Sequence, residues 1–329
     1  MNGHIIPNSN IAVDFWKIKG RQDNLIHFLT HLHGDHIVGL TSSWNKPIYC
    51  SNISAELLKS KYGISNKLLH ILPLNESVVI DELPSGSFSV TALDANHCPG
   101  AVMFYFQGPF GNIFYTGDFR ASESLTEACF GLKGKINVLY LDNTFCSPKC
   151  IFPSQEECFD KIVEIIQQHP DHSVVIGVRN LGKEFMLGRL GAALNETIAV
   201  TSEMYNLCKF LLDTNVFTTI HCHEGFRLRT IPLHRITRQY LQELNQNQPY
   251  IAIIPTAIYT GLGFDPFANC PDIFVVPYSD HSSYTELLHF VSVLQPTQVV
   301  PIVTGSKGPF CTDISERTDM SCFQSFLST

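Results

Sequence analysis

The sequence predicts a mixed α/β (α+β) protein: a mainly β-sheet domain, contributed by both ends of the chain, carrying an inserted α/β unit. Three observations predict it. From Ile11 to about Asn143 the apolar residues fall in short runs rich in β-branched and aromatic side chains. After Asn143 helical and strand-like periods alternate. From Tyr250 buried-strand runs return. The expected boundaries are 1–150 and 270–329 for the two parts of the β-sheet domain, and 151–269 for the insertion.

Taken in order, strands are expected at 11–16, 25–30, 46–50, 88–95, 101–106, 112–118 and 138–142. The sequence Gly-Pro-Phe-Gly at 108–111 reads as a hairpin turn. Ser154 and Glu157 have capping-box spacing and open a helix with apolar Phe159, Ile162, Val163 and Ile166, stopped by Pro170. A strand at 173–178, a helix from Gly182, a strand at 197–200, a helix from Ser202 and a strand at 215–220 follow. That alternation implies a parallel sheet. Strands at 250–255, 273–279 and 298–303 complete the chain, with a helix at 282–294 before the last of them.

With 329 residues, 44% hydrophobic and 16% charged, the chain is long enough for one large or two ordinary cores. No apolar run is long enough to span a bilayer, and no partner membrane is expected. Eleven cysteines, an odd number, with no export-type leader at the start, read as reduced thiols. The net charge of −8 argues against a protein that coats nucleic acid generally. It leaves room for a local basic groove, and a bound metal adds charge that this count omits.

Residues 29–40 place His31, His33, Asp35 and His36 within six positions. In extended backbone alternate side chains point the same way, so His31 and His33 share a face. Imidazoles and a carboxylate, with no cysteine, suit an open hydrolytic site for zinc or a similar divalent ion. A single histidine there is ordinarily a polar loop residue; four such groups in this order are not explained that way.

The pattern resembles the signature of the metallo-β-lactamase fold, an αββα sandwich whose loops hold one or two metals. The resemblance implies further ligands, and the chain has them at strand ends: His97, and Asp118 as the bridging carboxylate. Asp14 matches the first-strand aspartate that orients the histidine loop. Asp142, His281 and the long insertion between them resemble the β-CASP nucleases, which cut DNA or RNA. Val303, where RNA-cutting members carry histidine, resembles the DNA-cutting branch. The full set is most similar to the Artemis/Apollo-like family of DNA repair nucleases, over nearly the whole chain up to about Val303.

That resemblance implies a metal-dependent 5′-to-3′ DNA exonuclease. The ligands would be His31, His33, His97 and Asp118 at a first metal, and Asp35, His36 and Asp118 at a second, with His281 nearby. Zinc is expected, one or two ions, although manganese, iron or nickel suit the same ligands. Asp35 is either a ligand or a base. Asp142 and His281 would orient or protonate the leaving oxygen. Lys183, Thr256 and Ser279 would bind the 5′-phosphate of single- or double-stranded DNA. Asn180 and Ala257 depart from the family pattern, each standing where serine is usual. Arg227, Arg229, Arg235 and Arg238 would line a DNA track or form a solvated edge. The implied setting is the nucleus, in interstrand crosslink repair and telomere processing. The tail by which such proteins reach a telomere-binding partner is not within these residues. An RNA or small-molecule hydrolase on the same fold is the alternative.

Overall fold

The computed structural model describes residues 3–17, 24–81, 86–179, 181–213, 215–219, 225–264, 266–305, 309 and 311–328. The chain forms two units, one of Met1–Cys150, Asp280–Gly308 and Thr312–Thr329, the other of Ile151–Ser279 with Pro309–Cys311.

In the first unit β1 (His4–Ile5), β2 (Ile11–Val13), β3 (Ile26–Phe28), β4 (Ile48–Cys50) and β5 (Leu69–Ile71) pair in that order. A second sheet contains β6 (Ser77–Ile80), β7 (Phe88–Asp94), β8 (Val102–Gly108), β9 (Gly111–Tyr115) and β10 (Val138–Leu141). Its far edge is β17 (Gln298–Pro301), parallel to β10. The sheets bury their apolar faces against each other: Phe28 meets Phe104 and Phe106 at 5.4 and 4.9 Å between ring centres. Helix α1 (Asn52–Tyr62) covers the first sheet. Helix α7 (Tyr284–Leu294) covers the second, where Phe290 packs on Phe114 and Phe119. The result is the expected four-layer αββα sandwich. A short α2 (Glu123–Ala128) follows β9.

The second unit is one six-stranded sheet, parallel throughout: β11 (Ser173–Val178), β12 (Ile198–Val200), β13 (Phe217–Thr219), β14 (Leu228–Pro232), β15 (Tyr250–Pro255) and β16 (Ile273–Val276). Their spatial order is β13-β12-β14-β11-β15-β16. Helices α3 (Gln155–Gln168), α4 (Glu184–Leu194) and α5 (Ser202–Leu211) pack on one face, and α6 (Arg238–Leu244) on the other. Strands covered on both faces read as continuous apolar runs, which is why β11 and β15 were legible. The capping box at α3 is complete: Ser154 Oγ accepts from Glu157 N, and the Glu157 carboxylate accepts from Ser154 N. Ile273–Val276 pairs with β15, so the insertion runs to Ser279, past the expected boundary at 269/270.

Candidate metal centre

Every element that carries a candidate ligand ends at the same rim of the sandwich. β3 stops at Phe28, and Thr30 O accepts from Val102 N as the chain leaves the sheet. A turn closed by His36 N to His33 O then packs the histidines together, and Trp16 Nε1 donates to His36 O at 2.6 Å. His97 follows β7, where Asn96 adopts φ +50°. Asp118 follows β9 through Gly117 at φ +55°; a Cβ there would lie 2.8 Å from the Thr30 Cβ, so only glycine allows this approach.

Hydrogen bonds fix which nitrogen each imidazole presents. Asp14, itself at φ +53°, accepts Thr30 N–H on Oδ1 (2.8 Å). Its Oδ2 accepts the Thr30 hydroxyl (2.6 Å) and His36 Nδ1–H (2.8 Å). With its proton committed to Asp14, the Thr30 oxygen is an acceptor for His31 Nδ1–H at 3.0 Å. His97 Nδ1–H donates to Asp280 O at 2.7 Å. In all three rings Nδ1 is occupied and Nε2 is left for the centre. Asp142 does the same for His281: its Oδ2 accepts Nδ1–H at 2.8 Å, while Thr144 N and Oγ1 fill Oδ1.

The bare atoms converge. His31 Nε2 and His97 Nε2 lie 3.1 and 3.0 Å from His33 Nδ1. Asp118 Oδ2 stands 3.6, 3.7 and 3.9 Å from the Nε2 atoms of His31, His97 and His281. His36 Nε2 and Asp118 Oδ1 face each other at 3.2 Å, buried and without hydrogen-bond alignment. Lone pairs aimed at one another at such distances need a cation among them. Two nitrogens on a tetrahedral zinc are about 3.3 Å apart, given bonds of about 2.0–2.1 Å. The donors therefore fit a divalent metal ion, and two adjacent groups that share Asp118 fit two.

The electrostatics agree. Burial, reinforced by neighbouring imidazoles, holds His31 and His97 well below the ordinary histidine range. Burial also opposes charge on His36, but Asp118 and Asp14 outweigh it and raise its pKa well above that range. For His281 burial is outweighed by Asp142 and Asp118, which push it up to about 9. A cation competes with the proton on His36 for the same atom.

Asp35 is half-buried in the histidine turn and belongs to none of the donor groups that, among the described residues, lie within 4.8 Å of one another. Cys98, by contrast, joins the group of His31, His33 and His97, so the centre is not free of sulfur. Its position directly after His97 was the available signal. Also unforeseen is the clamp behind Asp118 and His281. The Ser282 hydroxyl donates to Phe119 O and accepts from Ala121 N, and buried Arg120 donates twice to Glu286 Oε1.

In the second unit Lys183, Thr256 and Ser279 lie beyond the carboxyl ends of the adjacent strands β11, β15 and β16. Lys183 is the residue before α4, and its Nζ lies 4.8 Å from the ring centre of Tyr278, the neighbour of Ser279. Asn180 lies outside the described residues. Arg227 is engaged within the protein. It bonds Glu196 and donates to His172 O, Ile166 O and His169 O, capping the end of α3. Arg229 lies over Tyr250, whereas Arg235 and Arg238 are exposed. Among the described residues, no helix is long and apolar enough to cross a membrane.

Comparison with known proteins agrees with this geometry. Residues 206–307 match the family model described as DNA repair metallo-beta-lactamase. The 5′ exonuclease Apollo of Mus musculus is 42% identical over 306 residues, covering 92% of this chain and 55% of that protein. The Gallus gallus protein of that name is 39% identical over the full 329 residues and 67% of its own length. The DNA cross-link repair 1A protein of Homo sapiens is 33% identical over 91% of this chain and 30% of its own. The chain thus spans about half the length of the 5′ exonuclease Apollo proteins of Mus musculus and Rattus norvegicus. A solved structure of a protein of unknown function from Enterococcus faecalis superposes with a TM-score of 0.61 at 18% identity, over 87% of this chain and 78% of that one. It shares the fold. The chain belongs to the Apollo-like family of DNA repair metallo-β-lactamases.

Proposed function

We propose that this protein is a metal-dependent 5′-to-3′ DNA exonuclease that acts on 5′-phosphorylated ends in interstrand crosslink repair. The observation that carries the reading is the pair of donor groups joined at Asp118, in a chain whose relatives are named 5′ exonucleases. When bound, a pair of divalent cations, zinc by the nitrogen-rich donor set, supplies Lewis acidity to phosphate oxygens and activates water.

The protein's own groups do the rest. Asp14, Thr30 and the Asp280 carbonyl hold His36, His31 and His97 in the ligating tautomer. Asp142 fixes His281 so that Nε2 faces Asp118, from where it can hand a proton to the leaving 3′-oxygen. Breaking the bond from phosphorus to that oxygen releases a nucleoside 5′-phosphate and leaves a new 5′-phosphate on the strand. Asp35, at the turn, would complete a metal shell or act as base. Val303 is buried and supplies no imidazole, which favours DNA over RNA.

The end would be read in the second unit. Chain connections diverge between β11, which leads through α4 to β12, and β15, which leads to β16; crevices at such switch points bind ligands. Lys183, Thr256 and Ser279 border that point, and the first amides of α4 add donors. Action in the nucleus, and at telomeres through a telomere-binding protein, are parts of the same reading.

The test follows digestion of single-stranded DNA bearing a 5′-phosphate or a 5′-hydroxyl, with and without chelator. We expect loss of the phosphorylated strand alone, abolished by chelation. Equal loss of both strands would remove the end-reading claim, and chelator-resistant digestion would remove the metal. Lys183→Ala should erase the preference.

A further inference from the structure

We propose that the C-terminal segment Asp313–Phe326 is a positioning element of the catalytic centre: it fixes the loop that carries Asp142, and through it the Asp142–His281 pair. The inference rests on the nuclease reading above, in which that pair handles the leaving group.

The loop after β10 begins with Asp142 and Asn143, both buried. Each polar atom of the Asn143 side chain is used. Its Oδ1 accepts Val303 N at 2.6 Å, and its Nδ2 donates to Val303 O at 3.0 Å and to Arg317 O at 2.9 Å. One amide thus ties the residue beside Asp142 to the end of β17 and to α8 (Ile314–Thr318). Four residues further on, Glu316 of α8 accepts from Ser147 Oγ at 2.8 Å and from Lys149 Nζ at 3.4 Å. Cys322 lies beside Cys146, and Phe323 is fully buried. The segment therefore grips the loop at residues 143, 146, 147 and 149.

Asp142 N donates to Thr116 Oγ1 at 3.0 Å, and its Oδ2 accepts from Phe119 N at 3.4 Å. Both Oδ1 partners, however, are in Thr144, on the loop itself, so the aim of the carboxylate depends on where the loop sits. A shift of an ångström breaks the 2.8 Å contact with His281. Helix α8 has five residues, too few to persist without packing, so it is present because of these contacts. Arg317 carries the same message. Its guanidinium is fully buried and, among the described residues, reaches Gly305 O at 3.3 Å while Nε and Nη1 find no partner. Asp142 is among the charges it faces. A buried cation with two unmet donors is a costly choice for a segment that serves packing alone.

The test compares Glu316→Ala, Glu316→Gln and Asn143→Ala on 5′-phosphorylated single-stranded DNA. It reads kcat and KM separately, with metal content and melting temperature. Glu316→Ala should lower kcat about 3–10-fold and Asn143→Ala about 100-fold, KM and metal content staying at the native values. Glu316→Gln keeps an acceptor for Ser147 and should restore kcat. Native kcat in folded Glu316→Ala and Asn143→Ala proteins, or failure of glutamine to rescue, overturns the proposal. If Asn143→Ala does not fold, the Glu316 pair decides alone. If the native protein leaves this DNA intact, the nuclease reading falls instead. Positioning is then judged by the downfield His281 Nδ1–H proton resonance. It should be present in the native and Glu316→Gln proteins and shifted or lost in Glu316→Ala, and identical spectra overturn the claim.

Discussion

Replacing Asp14 with asparagine turns one acceptor oxygen into a donor and reverses the two hydrogen bonds made there. The backbone N–H of Thr30 cannot turn away, so the amide oxygen must take the Oδ1 place, 2.8 Å from it. The amide NH2 then occupies the Oδ2 place, facing the Thr30 hydroxyl at 2.6 Å and His36 Nδ1 at 2.8 Å. The hydroxyl can rotate to accept. His36 can accept only by moving its proton to Nε2, where it points at Asp118 Oδ1, 3.2 Å away. The lone pair that should reach a metal is gone, while His31 still donates to Thr30 and keeps its own. Loss of such an orienting carboxylate costs about 10–100-fold in metal affinity, or about 1.4–2.7 kcal/mol at 1.36 kcal/mol per decade. The assay is a competition titration of Zn2+ against a chromophoric chelator. We expect the tighter binding at His31, His33 and His97 to stay within about threefold, and the second equivalent to weaken by the stated factor. Two equivalents bound with native affinity would refute the tautomer argument.

Gly117→Ala adds a Cβ 2.8 Å from the Thr30 Cβ at φ +55°, and should cost about 2–4 kcal/mol in a denaturant melt; a melt within 0.5 kcal/mol of native, on the scale of a neutral surface change, would contradict the close approach. Ser154→Ala breaks the α3 capping box and should cost about 1 kcal/mol with metal binding unchanged. Arg227→Met removes the cap on α3 and should destabilise by about 2–3 kcal/mol yet leave the salt dependence of DNA binding as it was; a shallower salt slope would return Arg227 to the DNA track. His281 has a folded pKa of about 9 against an ordinary 6.5. In chelator-treated protein its contribution is therefore complete below pH 6.5 and lost as pH rises through about 9. A pH series of melting curves should show this alkaline loss, and His281→Ala should flatten it.

Much of the candidate centre was legible because its candidate ligands sit in local, unusual patterns: three imidazoles in six residues, then single groups at strand ends. The sandwich and the parallel insertion followed from runs whose burial fixes their composition. What escaped did so for physical reasons. β14 lies in the middle of its sheet, but Arg229 and Thr230 interrupt its apolar run, and strand β1 is two residues long. Ile273–Val276 has the same texture as strands of either unit, so pairing alone assigns it. Asn143, Arg120 and Glu286 act through partners 160 or more residues away, which no local pattern encodes.

The insertion leaves the first unit at Cys150, and Tyr284 N returns to donate to Cys150 O at 3.0 Å. Sequence order here is also order of synthesis. A ribosome has made His31, His33, His36, His97, Asp118 and Asp142 long before it delivers the Asp280 carbonyl that sets His97, or His281 itself. A nascent or prematurely terminated chain holds most of a metal site and no finished one. Completion of the centre waits for residues 280 and 281, so a fragment that stops before them carries an incomplete donor set.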